Sequence, residues 1–170
     1  WLLSPFPAEV LGALHPVEVA YFINAADYWR RLSEDLNSAR GSILATGWDF
    51  NDQLCLVPGQ SPPLFELFSS LLSRKPDLSI AIALWEDAYI CPQTLGSNDT
   101  KRLAGVIERL RDLQESFSNR FFVCPAKGAG GYVYSHHQKT VVIDGLIGYC
   151  GGIDLAVGRW HDGLHWVFPR

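Results

Sequence analysis

His137, Lys139 and Asp144 stand in the pattern His-x-Lys-x-x-x-x-Asp inside YSHHQKTVVIDGLIGYCGGIDLAVGRWHD, residues 134–162. In an extended run side chains alternate with a period of two, so His137 and Lys139 are expected on one face of a β-rich strand over 137–143. That pairing suits a tetrahedral phosphate. The ammonium balances charge on the non-bridging oxygens while an unprotonated imidazole nitrogen attacks phosphorus, leaving a phosphohistidine. Asp144 ends the strand before Gly145, where it is expected to accept a hydrogen bond and bias the local field towards imidazolium or ammonium. Gly151 and Gly152 end the next apolar run, LIGYC, and allow a sharp turn or a close approach of backbone to ligand.

Three fixed residues at this spacing arise by chance in roughly one chain in a hundred of this length, so the context decides. The doubled histidine His136–His137 is followed by VVID, by GG-x-DL at Gly151, Gly152, Asp154 and Leu155, and by Gly158-Arg159-Trp160. In that order these resemble the first of the two HKD motifs of phospholipase D enzymes, and especially their eukaryotic-type branch. Upstream, SILATGWDF (42–50) and LSIAIALWED (78–87) resemble the early core strands of that family.

The resemblance implies a two-step displacement. His137 is the nucleophile, Lys139 the phosphate clamp and Asp144 the third member of the triplet. Gly151, Gly152, Asp154, Arg159 and Trp48 fall to the substrate, with no metal and no cofactor required. His136 is expected on the opposite face of the strand, in a structural hydrogen bond. Two departures stand out. Gly152 and Asp154 occupy places where many superfamily members have Ser and Asn, which is typical of the eukaryotic-type first motif and argues against small bacterial nucleases. His161 separates Trp160 from Asp162, whereas the family usually reads GRW followed directly by Asp.

Among the five histidines only His137 has Lys two and Asp seven residues on. Family chemistry needs a second histidine to protonate the leaving alcohol and then activate water. The expectation is therefore a single domain, the first-motif lobe of a two-lobed enzyme, with a homodimer as the lesser alternative. A chain that starts at Trp1 and holds no Met points the same way. The expected reaction is hydrolysis of the distal phosphodiester of a glycerophospholipid to phosphatidic acid and a free alcohol, at a membrane surface. The expected setting is a peripheral membrane or secreted protein, bacterial secreted effectors included. Alternatives are a superfamily nuclease, a cardiolipin synthase-type transferase, or a lobe that only binds lipid or a partner. Tyrosyl-DNA phosphodiesterases typically lack the Asp present at Asp144.

Composition narrows these. The formal net charge is −4 and no basic run exists, so the electrostatic footprint of a nucleic-acid binder is missing and no nucleic-acid partner is expected. No apolar run reaches spanning length. WLLSPF and LHWVF offer aromatics to an interface or, more ordinarily, to a core. Four dispersed cysteines, Cys55, Cys91, Cys124 and Cys150, give neither a zinc nor a redox motif.

The elements that must position the triplet read as α/β. Asn24 caps a helix over 25–39 with a Tyr28, Leu32, Leu36 stripe, and a strand over 42–48 follows. Ser61-Pro62-Pro63 opens a second helix, Pro76 closes it, and the apolar strand over 78–85 reads as buried on both faces. A long helix over 99–117 precedes the strand FFVC. The Gly-rich segment 127–131 lacks a phosphate-loop ending and reads as a connection. Val57 to Pro63 reads as a surface loop. The implied architecture is a layered α/β/α sandwich around a mostly parallel, buried sheet, with ligands at strand ends.

Overall fold

A computed structural model describes residues 18–85, 97–126 and 137–161. Helix α1 spans Ala25–Ser38 and strand β1 Ser42–Gly47; α2 spans Leu64–Arg74 and β2 Ser79–Trp85. Helix α3 covers Ser97–Ser116, β3 Phe121–Ala126, β4 Thr140–Ile143 and β5 Ile147–Cys150. These five strands form one open sheet in the order β3-β2-β1-β4-β5.

The helices form where apolar residues recur at helical spacing. Trp29, Leu32 and Leu36 bury the inner face of α1, Leu64, Leu67, Phe68, Leu71 and Leu72 that of α2. Val106, Ile107, Leu110 and Leu113 do the same for α3, and all join one core. Tyr28 packs at the edge of that core, and burial pushes its hydroxyl up to about 12. Asn24 sits in the extended conformation of an N-cap but makes no side-chain cap bond. An amide of the first turn, Ala26 N–H, donates instead to the His161 carbonyl at 3.0 Å, so a distant segment meets part of the need expected of the cap.

β1, β2 and β3 run parallel, with Ile43 beside Ile80 and Ile80 beside Phe121. β4 runs antiparallel to β1 and β5 antiparallel to β4, so the sheet is parallel only in its β1-β2-β3 half. A tight turn joins β4 to β5. Asp144 and Gly145 both have positive φ, 54° and 67°, and Leu146 N–H donates to the Ile143 carbonyl at 3.0 Å. Two consecutive left-handed residues make the primed turn whose twist matches a hairpin, for which Asp-Gly is a preferred pair.

One face of the sheet is buried. Ile43, Ala45, Ile80, Ile82, Leu84, Phe121, Val141 and Ile143 are all under 5% exposed and belong to the helix-covered core. On the other face Leu44 is 49% and Phe122 41% exposed, and Thr46, Ala81, Ala83 and Val142 are half-buried. The strand over 79–85 is thus buried on one face among the described residues, not on both. The connectivity accounts for this. Right-handed crossovers that step from β1 to β2 to β3 in one direction keep α2 and α3 on the same side.

The edge strand β5 is tied down by Tyr149, whose hydroxyl donates to the Asp35 carboxylate of α1; Arg31 reaches the same carboxylate at 3.0 Å. Burial first, and then the hydrogen bond to Asp35 and its charge, push the Tyr149 hydroxyl well above its ordinary range. Cys55, Cys124 and Cys150 are unpaired thiols. No helix among the described residues is long and apolar enough to cross a membrane.

Candidate active site

The carboxyl end of β1 and the start of β4 lie side by side, with Thr46 opposite Thr140. Their hydroxyls are 2.7 Å apart, and Thr140 N–H also donates to Thr46 Oγ1 at 3.2 Å. This pair fixes where the chain enters β4, and hence where the two residues before it project. Regular strand begins only at Thr140, three residues later than the alternation predicts, yet His137 and Lys139 still converge. Lys139 Nζ is 3.4 Å from His137 Nδ1 and 3.5 Å from the His137 carbonyl. His137 is exposed, whereas Lys139 is 8% exposed. A reachable imidazole over a sheltered ammonium is the arrangement that attack on a bound phosphate needs.

Trp48 follows β1 directly, and its ring centroid lies 5.4 Å from that of His137, tilted by 52°. The residue expected to line the pocket is therefore a wall for the imidazole. The backbone reaches this place through Gly47. A Cβ there would sit 3.1 Å from the Asp49 carbonyl and 3.8 Å from Asp154 Oδ1, so a side chain at this point would crowd the turn.

Asp154 lies underneath. It is 4% exposed, accepts from Trp48 N–H at 3.1 Å and Asp49 N–H at 3.0 Å, and pairs with Lys139 Nζ at 3.2 Å. Asn51 N–H donates to the Leu155 carbonyl at 2.8 Å, which stitches the two loops further. Two residues on from Asn51 in the same loop, Gln53 donates to the fully buried Asp52, which also takes a two-pronged bond from Arg109 of α3 at 2.7 and 2.8 Å. Burial alone would push the Asp52 carboxyl up. The Arg109 guanidinium and the Gln53 amide outweigh it and hold it below the usual carboxylate range.

Asp144 is placed elsewhere. Five residues at about 3.3 Å each put it roughly 16 Å along the strand from Lys139. Its carboxylate accepts from the amides of Arg40, Gly41 and Ser42 at 2.9, 2.7 and 2.8 Å, the turn between α1 and β1. The geometry gives it the backbone of that turn, not His137 or Lys139, as its partner. The carboxylate beside Lys139 is Asp154, and what conceals this in the sequence is that the loop after β5 folds back under β4.

The remaining expected residues lie around this centre. Gly151 N–H donates to the Lys139 carbonyl at 3.2 Å, and Gly152 is exposed. Neither glycine has positive φ, and a Cβ on either would meet nothing within 4 Å, so no local crowding demands them. Arg159 is exposed. Trp160 packs on Trp29 at 6.0 Å and under the Arg30 guanidinium at 5.5 Å, anchoring the GRW segment to α1. His136, Asp162, the 127–131 segment and the WLLSPF and LHWVF stretches lie outside the described residues. Among those described, no group of three or more His, Cys, Asp and Glu side chains is arranged to hold a metal ion.

No protein-family model matches the chain. Phospholipase D C of Dictyostelium discoideum is 26% identical over 155 residues, 89% of this chain and 9% of that protein. Phospholipase D gamma 1 of Arabidopsis thaliana is 25% identical over 82% of this chain and 18% of its own length. Phospholipase D1 of Mus musculus is 28% identical over 91% and 14%. The chain thus spans less than a fifth of each of these relatives. Among solved structures, NucT from Helicobacter pylori superposes with a TM-score of 0.49 at 18% identity, over 79% of this chain and 71% of that one. Phospholipases D from three such distant organisms thus align with more than four-fifths of this chain at 25–28% identity, so its likeness to phospholipase D enzymes extends over most of its residues.

Proposed function

We propose that this lobe supplies the nucleophilic half of a phospholipase D-type active site, which hydrolyses the distal phosphodiester of a glycerophospholipid to phosphatidic acid and a head-group alcohol. The observation that carries the proposal is the convergence of the His137 imidazole and the Lys139 ammonium, 3.4 Å apart, against the Trp48 ring. An unprotonated nitrogen of His137 attacks phosphorus as the P–O bond to the head group breaks. The leaving alkoxide takes its proton from a second histidine outside this chain. Water deprotonated by that same histidine then attacks the phosphohistidine, releasing phosphatidic acid and regenerating the imidazole. Lys139 stays beside the non-bridging oxygens throughout. The second histidine comes from another lobe of the same protein, or from a partner copy.

The negative formal net charge of −4 favours a lipid over a nucleic acid as the carrier of the phosphodiester. The test is His137→Ala in the full-length protein, assayed in parallel for choline release from phosphatidylcholine, for transfer to a second lipid alcohol and for DNA cleavage. Choline release is expected to fall by a factor on the order of 10^4 with folding retained. Undiminished release would remove His137 as the nucleophile. Wild-type activity on DNA alone would reassign the substrate.

A further inference from the structure

We propose that Asp154 is the positioning residue of this site, acting on the phosphodiester through Lys139 and not by touching the substrate. This rests on the phosphodiesterase reading above. Both carboxylate oxygens are already engaged. Oδ1 accepts from the amides of Trp48 and Asp49, at 3.1 and 3.0 Å, and Oδ2 faces Lys139 Nζ at 3.2 Å. A free carboxylate at a phosphate subsite would also repel the anion it was meant to bind, and that repulsion grows as water is excluded. Set behind the ammonium, the same charge does the opposite. It holds a long, freely rotating side chain in one place before the substrate arrives and removes the entropy cost of ordering it at each turnover.

The same carboxylate acts on a second part of the site. Its bonds to Trp48 and Asp49 set the turn after β1, and that turn presents the Trp48 ring to His137 at 5.4 Å. One buried group therefore fixes the relative places of the wall, the nucleophile and the ammonium. Asparagine separates the two tasks. Its carbonyl oxygen can still accept from the two amides, but its NH2 then faces an ammonium, donor against donor, and Lys139 is released. Asp154→Asn should therefore keep the turn and lose the clamp.

The experiment is a double-mutant cycle in the full-length protein with Asp154→Asn, Lys139→Met and both together. The readouts are kcat and KM on a phosphodiester, the dissociation constant for inorganic orthophosphate, and Tm. Lys139→Met is expected to weaken orthophosphate binding by about tenfold or more, and Asp154→Asn to do so by a similar factor without touching the ion. The double variant should be no worse than Lys139→Met alone, within about threefold. Lys139→Met also leaves a buried carboxylate without its cation, so adding Asp154→Asn to it should raise Tm by about 3 °C or more. This last readout needs no activity and remains available if Asp154→Asn alone does not fold. Multiplying losses in the double variant, or a further fall in its Tm, would overturn the positioning role while leaving the phosphodiesterase reading intact. Orthophosphate binding that is indifferent to Lys139→Met overturns both.

Discussion

Asp144 bonds three successive amides, Arg40, Gly41 and Ser42, and adopts a φ of 54° to do so. The amides of Ser42 and Gly41, and then that of Arg40, hold its carboxyl below the ordinary range. A carboxyl depressed in the folded state adds stability above its unfolded value, near 3.9, and that stability drains away as the pH falls through the folded value. Asp144→Asn tolerates the left-handed backbone and keeps one oxygen for the Gly41 and Ser42 amides, but it loses the charge and the nearer acceptor for the Arg40 amide. It should cost about 1 kcal/mol at pH 7, at the low end for charge-assisted bonds because water shares the site. Chemical denaturation across pH should show the gap from wild type closing below about pH 4. The aspartate was visible in the sequence as part of the triplet. Its partner was not, because residues 40–42 are about a hundred positions away in the chain and only strand pairing brings them together. The Asp-Gly turn, by contrast, was legible between two apolar runs. Taking Asp144 as a strand end concealed it.

At the scale of elements, the loop after β1 carries Trp48 and is pinned to α3 by the Asp52–Arg109 pair. Asp52 is 0% exposed, so removing the cation strands a buried carboxylate. Arg109→Met should cost about 2–3 kcal/mol at pH 7. In the wild type the depressed carboxyl stabilises the fold above about pH 4. In the variant burial is opposed only by the Gln53 amide and the backbone, without the guanidinium, so the penalty is largest when Asp52 is ionised and shrinks as acid protonates it. Urea midpoints taken between pH 7 and pH 4 should therefore converge; a constant difference would mean that Arg109 contributes packing and not charge. The helix periodicities placed α1, α2 and α3 to within a few residues. They carried no sign of this tie, since an arginine on a helix side reads as a solvated face until the tertiary structure puts a carboxylate beneath it.

Across the whole molecule, the described chain is a sheet with one buried and one open face. Ile80→Ala empties the core and should cost about 2–4 kcal/mol, whereas Phe122→Thr and Leu44→Thr should each stay within about 1 kcal/mol in the 170-residue chain. Equal losses at the three positions in equilibrium unfolding would mean that the second face is also packed. Strand existence followed from β-rich apolar runs, but the reading of 78–85 as buried on both faces rested on Ala81 and Ala83. Alanine is apolar enough to pass for core and small enough to stand half-exposed. By itself the sequence determined the triplet, the kind of phosphate chemistry its residue types permit, and the alternation of helices and strands, because residue type and local period are properties of neighbours in the chain. Only the tertiary structure decided which carboxylate serves Lys139, that Asp144 staples a distant turn, that β4 and β5 run antiparallel, and which face of the sheet is covered. Each of these depends on segments far apart in sequence meeting across hydrogen-bonded strands, and local pattern does not record that.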